Sequence, residues 1–180
     1  MGLLICVTVG ALVIGWITGG SLTRLGEVPL RGWPLVLSAV AAVIAGTLLA
    51  SIDGTTGRVC SVAGLAIAAG CLSALMLRNR RVEGVPLMAA GLLLNAVVVG
   101  ANGAMPVSLY AEARAGVSTG ALIDGRDPRH ELAGPDTRLR PLGDVIPVPL
   151  PWRPETISAG DILVIAGAGL LILAGMHRRA

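Results

Sequence analysis

The chain has 180 residues, of which 54% are hydrophobic and 14% charged, with a mean hydropathy of +0.79. Ordinary soluble domains carry roughly 25% charged residues, so this composition excludes a disordered chain, a coiled coil, a collagen and a disulfide scaffold, and points to a membrane protein. The 14 basic residues are all Arg and the net charge is +3; with no Phe, one Tyr and three Trp, and with arginines dispersed between apolar blocks, the basicity is a topology signal and nucleic acid is not an expected partner.

Five apolar stretches approach the roughly 20 residues that a bilayer core requires. They run over about 3–20, 34–52, 60–77, 86–104 and 158–176, and Asp161 is the one charge inside them. Lipid offers no partner for backbone groups, so each stretch is expected to be a helix. Pro34 and Pro86 suit first-turn positions, where a missing N–H costs nothing. The first stretch has no basic region before it and no A-x-A cleavage site after Gly20, so it is expected to be retained and not removed as a signal peptide.

Small residues let such helices approach closely. Gly15 and Gly19 have GxxxG spacing, Gly64 and Ala68 do the same in the third stretch, and Gly160, Gly167, Gly169 and Gly175 lighten the fifth. A packed internal contact is the simpler reading, a dimer face the alternative. Cys60 and Cys71 would lie roughly 16 Å apart on one helix, too far for a disulfide, and Cys6 is in another stretch. Without a C-x-x-C pair, the three cysteines read as small buried hydrophobes.

In the fourth stretch, Asn95 and Asn102 differ by about 20° around a helix and share a face. They are either interhelical glue or a polar strip lining a site. Ser158-Ala159-Gly160-Asp161 has the spacing of a capping box, with Asp in place of the preferred Glu or Gln, and Ile157 and Ile162 form the hydrophobic staple. A cap explains Asp161 without a ligand, although a cap can still face a cavity.

Residues 105–157 divide into parts. Gly103 and Pro106 end the fourth helix, and 107–123 read as a short interfacial helix. Residues 124–140 alternate Asp124, Arg126, Asp127, Arg129, His130, Glu131, Asp136, Arg138 and Arg140, a pattern of solvated self-pairing. Residues 141–152 hold four prolines with Asp144 and are expected to be an extended, polyproline-like strip, with Trp152 at headgroup level. His130 beside Asp127 and Glu131 lacks a second His or Cys for a metal cage, and neither Ser108 nor Ser118 sits in a G-x-S-x-G elbow.

Arginine counts set the orientation. Arg24, Arg31, Arg78, Arg80, Arg81, Arg178 and Arg179 fall on one side of a five-span topology, and Arg58 alone on the other. The seven are assigned to the cytoplasm, which puts the N-terminus and 105–157 outside and the C-terminus inside the cell. The fourth helix exits and the fifth enters at that outer face. Asn95, Asn102, His130, Asp144 and Asp161 then form a candidate outward-facing polar pocket.

Over nearly its whole length the chain resembles a family of small bacterial membrane proteins of unknown function. The resemblance rests on Leu94-Asn95, Asn102-Gly103-Ala104-Met105-Pro106-Val107-Ser108, His130, Thr137, Gly143-Asp144-Val145-Ile146-Pro147 and Ile157-Ser158-Ala159-Gly160-Asp161, in that order. It implies a membrane architecture and supplies no activity.

The expected fold is thus an all-α integral membrane protein, a single domain over 1–180: a five-helix transmembrane bundle with one long extracytoplasmic connection between the fourth and fifth helices. The expected role is non-enzymatic, with the polar pocket taking a small ligand, a lipid or a partner subunit. The alternative is a membrane-embedded enzyme or transporter that uses His130 with Asp144 or Asp161 for proton transfer. The bilayer, a membrane-protein partner or a second copy of the chain are the expected partners, and no cofactor or metal is expected.

Overall fold

The computed structural model describes residues 2–49, 55–124 and 130–178. The end of the second expected span at 50–52, the polar residues Arg126, Asp127 and Arg129, and Arg179 lie outside the described residues. The chain is mostly helical and divides into two compact units: 28–82, and the remainder, 1–27 with 83–180.

The larger unit is built on three long helices: α1 (Gly2–Ile17), α5 (Val85–Asn102) and α8 (Ala159–His177), with α8 packed against both others. Glycine decides how closely they approach. Gly84 faces Gly167 and Gly91 faces Gly160, so the pairs repeat two turns apart along an antiparallel crossing. A Cβ at Gly84, Gly91, Gly160 or Gly167 would strike backbone or side-chain atoms of the opposite helix. Gly84 is further bound to glycine by its φ of +84°.

The α1–α8 contact is parallel: Gly169 lies against Val7, and Gly15 against Met176. At one end, Nε2 of His177 is 3.0 Å from Oγ1 of Thr18, and the Ser21 N–H donates to Met176 O at 2.9 Å. At the other end, the Glu155 carboxylate accepts from the N–H groups of Gly2 and Leu3 at 2.8 and 2.7 Å. Gly15 therefore forms the internal contact expected of it. Gly19, by contrast, lies past the helix end at φ +85° with nothing near its Cβ position, so the GxxxG pair does not act as one face. After Ile17 the chain makes one short helix, α2 (Leu22–Gly26), capped by Ser21.

The smaller unit is an antiparallel pair, α3 (Pro34–Leu49) and α4 (Thr55–Arg78). Gly64 sits against the backbone of Ala42 and Gly46, leaving no room for a Cβ. The side chain of Asn79, just past α4, closes the pair by bonding both main-chain groups of Arg31, at 2.7 and 2.9 Å.

Helix length bears on which helices cross a membrane. α5 and α8 are long and apolar enough to do so. α1 and α3 have 16 residues each, about 24 Å at 1.5 Å per residue against a core of roughly 30 Å. α4 is longer, with 24 residues, and opens on a polar turn at Thr55.

Between α5 and α8 the chain folds into a compact cap. Gly103, in the left-handed region at φ +93°, ends α5. Strand β1 (Met105–Val107) follows and pairs in parallel with β2 (His130–Leu132), while Val107 bridges to Asp144. Ser108 caps α6 (Leu109–Ala115), and α7 (Gly120–Ile123) is a single turn. Strands β3 (Ile146–Val148) and β4 (Glu155–Ile157) form an antiparallel hairpin against α6. Of the proline-rich residues 141–152, expected as an extended polyproline-like strip, Ile146–Val148 are extended and paired with β4, whereas Arg140–Leu142 form a single 3-10 turn and 151–152 a second turn. Pro106, Val107 and Ser158 are fully buried at the centre.

Candidate functional site

Polar side chains gather where α5 ends, α8 begins and the cap closes over both. The first group is a closed ring. Ser158 Oγ accepts from the Asp161 N–H at 3.0 Å, and the Asp161 carboxylate accepts from the Ser158 N–H at 3.0 Å, completing the capping box. Ser158 Oγ also donates to Asn95 Oδ1 at 2.8 Å, and Asn95 Nδ2 donates to the other Asp161 oxygen at 2.9 Å. Asn95 can reach this ring because Gly160 has no side chain to block it. The ring joins α5 to the first turn of α8 and uses both Asp161 oxygens. Its chemistry is that of a cap and an interhelix link.

The second group centres on Asp144. A side chain at Gly143 would meet Pro106 O; glycine there lets the Asp144 N–H donate to that carbonyl at 2.8 Å, while Asp144 O accepts from the Ser108 N–H at 3.0 Å. The Asp144 side chain is 9% exposed, and Oδ2 lies 3.7 Å from Nε2 of His130, whose side chain is 38% exposed. Asp144 Oδ1 is buried without a hydrogen-bond partner. Burial pushes the carboxyl from its ordinary 3.8 up to about 7; the charge of Asp161 adds to the rise, His130 opposes it, and Glu112, itself buried on α6, raises it further.

Asn102 stands apart from both groups. Its Oδ1 accepts from the Arg138 N–H at 2.8 Å, and its Nδ2 donates to Arg138 O and to Val98 O, each at 2.9 Å. Beside this clamp an open groove of about 510 Å³ is lined by Asn102, Glu131, Asp136, Thr137 and Arg138 with four apolar or small neighbours. Leu139, next to the clamped Arg138, has φ +52°, the one left-handed non-glycine among the described residues.

The five residues singled out in sequence therefore divide three ways: Asn95 with Asp161, His130 with Asp144, and Asn102 with Arg138. Asp161 links the first two groups through its field on Asp144. Sequence reasoning missed Glu112, which has no pattern to mark it as buried. It also missed Glu155, whose partners lie 152 and 153 residues away. Ser158 was read as a cap, and its bond to Asn95 adds the interhelix role.

Among the described residues no three of His, Cys, Asp and Glu are placed to hold a metal ion. No curated protein and no solved structure matches the chain. A family model does match, over residues 27–173, and on that span the chain belongs to DUF5317, a family of unknown function.

Proposed function

We propose that this is a multi-pass protein of the cell membrane in which α1, α3, α4, α5 and α8 cross the bilayer. The N-terminus and 105–157 are extracytoplasmic, the C-terminus is cytoplasmic, and the cap presents a polar site for ligand recognition and not catalysis. One observation carries the reading: the long helices of the larger unit meet through glycines and leave many large apolar side chains exposed. On α8 the buried positions include Gly160, Gly167, Gly169 and Gly175, whereas Leu170 is 45% exposed. On α5 Leu93 is 66% exposed and on α1 Ile17 is 72% exposed. Water penalises such a surface, whereas lipid accepts it, and close glycine contact then supplies the packing.

The ends of the helices support the orientation. Within the larger unit the start of α1, the end of α5 and the start of α8 all meet the cap, so one side of the membrane takes all three. The apolar helices α1 and α3 would reach across by tilting little, with Trp16 in the last turn of α1 and Trp33 just before α3 at headgroup level.

The groove beside Asn102 has the volume of a small-molecule site and offers Glu131, Asp136, Thr137 and Arg138 as polar contacts. A small polar ligand is the occupant we favour over a lipid or a partner subunit. Among the acid–base pairings open to a catalytic reading, Asp161 is committed to the capping ring, which leaves His130 with Asp144.

Two experiments test this. Topology is read by labelling single cysteines at Asp136 and Arg80 in a background with Cys6, Cys60 and Cys71 replaced by Ala. Position 136 should react in intact cells and position 80 only after the membrane is opened; the reverse overturns the orientation. Ligand recognition is read by native mass spectrometry of protein taken from its own membranes. A bound small molecule that is lost in Arg138→Ala supports the groove. A stoichiometric protein or lipid in its place, or equal retention in the variant, overturns it.

A further inference from the structure

Asp144 stands where three elements meet. Its main chain is bonded to Pro106 of β1 and to Ser108 at the start of α6, so it cannot turn away without opening both contacts. Its side chain is nine-tenths buried, and one carboxylate oxygen has no accessible surface and no partner. A buried carboxylate without donors is costly, whereas its neutral acid is far less so. Asp161 reaches it from α8, Glu112 from α6 and His130 from β2. Strands β1 and β3 bring no charge to it, being Met105–Val107 and Ile146–Val148. An oxygen enclosed in this way has room for a proton and for nothing larger. The ring of His130, part exposed and 3.7 Å from the other oxygen, offers that proton a route from solvent.

We propose that Asp144 and His130 form a proton-binding site that makes the fold of residues 105–157 sensitive to pH, proton uptake tightening the cap and proton release loosening it. The inference goes beyond ligand recognition and does not depend on what fills the groove. Its sign follows from linkage: the folded state holds the Asp144 proton more firmly than the unfolded chain does. The stabilisation is complete below the ordinary carboxyl value of 3.8 and is lost as the pH rises toward about 7. Above that, the cap carries an uncompensated buried charge facing two further carboxylates.

The test is hydrogen exchange of peptides from 105–123 and 130–148, measured on the full chain in lipid nanodiscs across acid to mildly alkaline pH and corrected for intrinsic exchange. Each unit of pKa difference is worth tenfold in the opening equilibrium, so protection should fall by about tenfold or more toward the alkaline end. Asp144→Asn should hold the protection of the acid form toward the alkaline end, leaving only the acid limb that Glu155 contributes. His130→Ala should shift the loss of protection to higher pH, because His130 opposes the rise at Asp144. Arg138→Ala should leave the pH at which protection is lost unchanged, whatever it does to the level of protection through a ligand, which separates this inference from the groove. A wild-type profile with no loss toward the alkaline end, or an Asp144→Asn profile that still shows that loss, overturns the proposal. Should Asp144→Asn fail to fold, infrared spectroscopy of the wild type decides. A protonated carboxyl band that titrates near neutrality and moves in His130→Ala supports the site, and the lack of such a band overturns it.

Discussion

Asn102 holds Arg138 by both of its main-chain groups, accepting from the N–H at 2.8 Å and donating to the carbonyl at 2.9 Å. Asn79 holds Arg31 in the same way, at 2.7 and 2.9 Å. Each amide also donates to the carbonyl four residues back, Val98 and Leu75 respectively. A primary amide copies the edge of a strand, so one side chain pairs a passing backbone and adds a second donor to a carbonyl in the last turns of its own helix. Among the described residues the device occurs once in each compact unit.

Replacing Asn102 by Ala removes three hydrogen bonds at a partly exposed site. With a net worth of about 1 kcal/mol each, less where water substitutes, the expected loss is roughly 1–3 kcal/mol. Asn102→Asp keeps the acceptor for Arg138 N–H and loses both donations, so it should fall between. Chemical unfolding in detergent micelles measures both, and a neutral Asn102→Ala would show that the clamp contributes nothing.

The glycine seam makes a second prediction with its own control. A methyl group at Gly160 or Gly167 would overlap atoms of α5, and overpacking of this kind costs about 1–3 kcal/mol. Gly100, on the same α5 helix, has open space around its Cβ position, so Gly100→Ala should be neutral or stabilising by up to about 1 kcal/mol from helix propensity alone. Thermal unfolding of the three variants should separate them, and equal midpoints would mean that the seam is not closely packed.

Ser158 and Asn95 should be energetically coupled. Ser158→Ala loses the helix cap, worth about 1 kcal/mol, and leaves Asn95 Oδ1 without the donor it has in the ring. A double-mutant cycle with Asn95→Ala should return an interaction energy of about 0.5–3 kcal/mol, the range for residues sharing one network. Additive losses would mean that the cap and the interhelix link act independently.

Much of this was legible in the chain before its fold was seen, and the reason is locality. The Ser158–Asp161 capping box, the turn at Gly103 and the first-turn prolines each follow from a few adjacent residues. The glycine-rich character of the fifth apolar stretch was readable too, but not that Gly160 and Gly167 would meet Gly91 and Gly84. Partners of that kind depend on register between helices far apart in sequence. Asn95 shows the same division: its need for a hydrogen bond was plain, and its choice of Ser158 and Asp161 was not. The groove beside Asn102 was beyond reach, because Arg138 and Thr137 come to it from 36 and 35 positions on, through a strand pairing that three-residue segments do not announce.

Glu155 makes a pH prediction of opposite sign to that of Asp144. Partial burial raises its pKa, and the donated N–H groups of Leu3 and Gly2 are among the interactions that hold it below the ordinary 4.5. A lowered folded-state value means that the stabilisation is present above about 4.5 and is lost as the pH falls through the lower folded value. Glu155→Gln should abolish that acid limb while leaving neutral-pH behaviour of Asp144 unchanged. A thermal midpoint series at acid pH would show it, and an unchanged acid limb would remove Glu155 from the account.

The same carboxylate has a consequence for biogenesis. The first helix emerges from the ribosome long before Glu155, and its lateral neighbours Gly169 and Met176 are translated later still. In the proposed topology it then waits in the translocon or the surrounding lipid without its α8 contact, and assembly of the larger unit is postponed until the last helix arrives. Chains stalled before α8 should leave α1 and α5 as orphans open to membrane quality control.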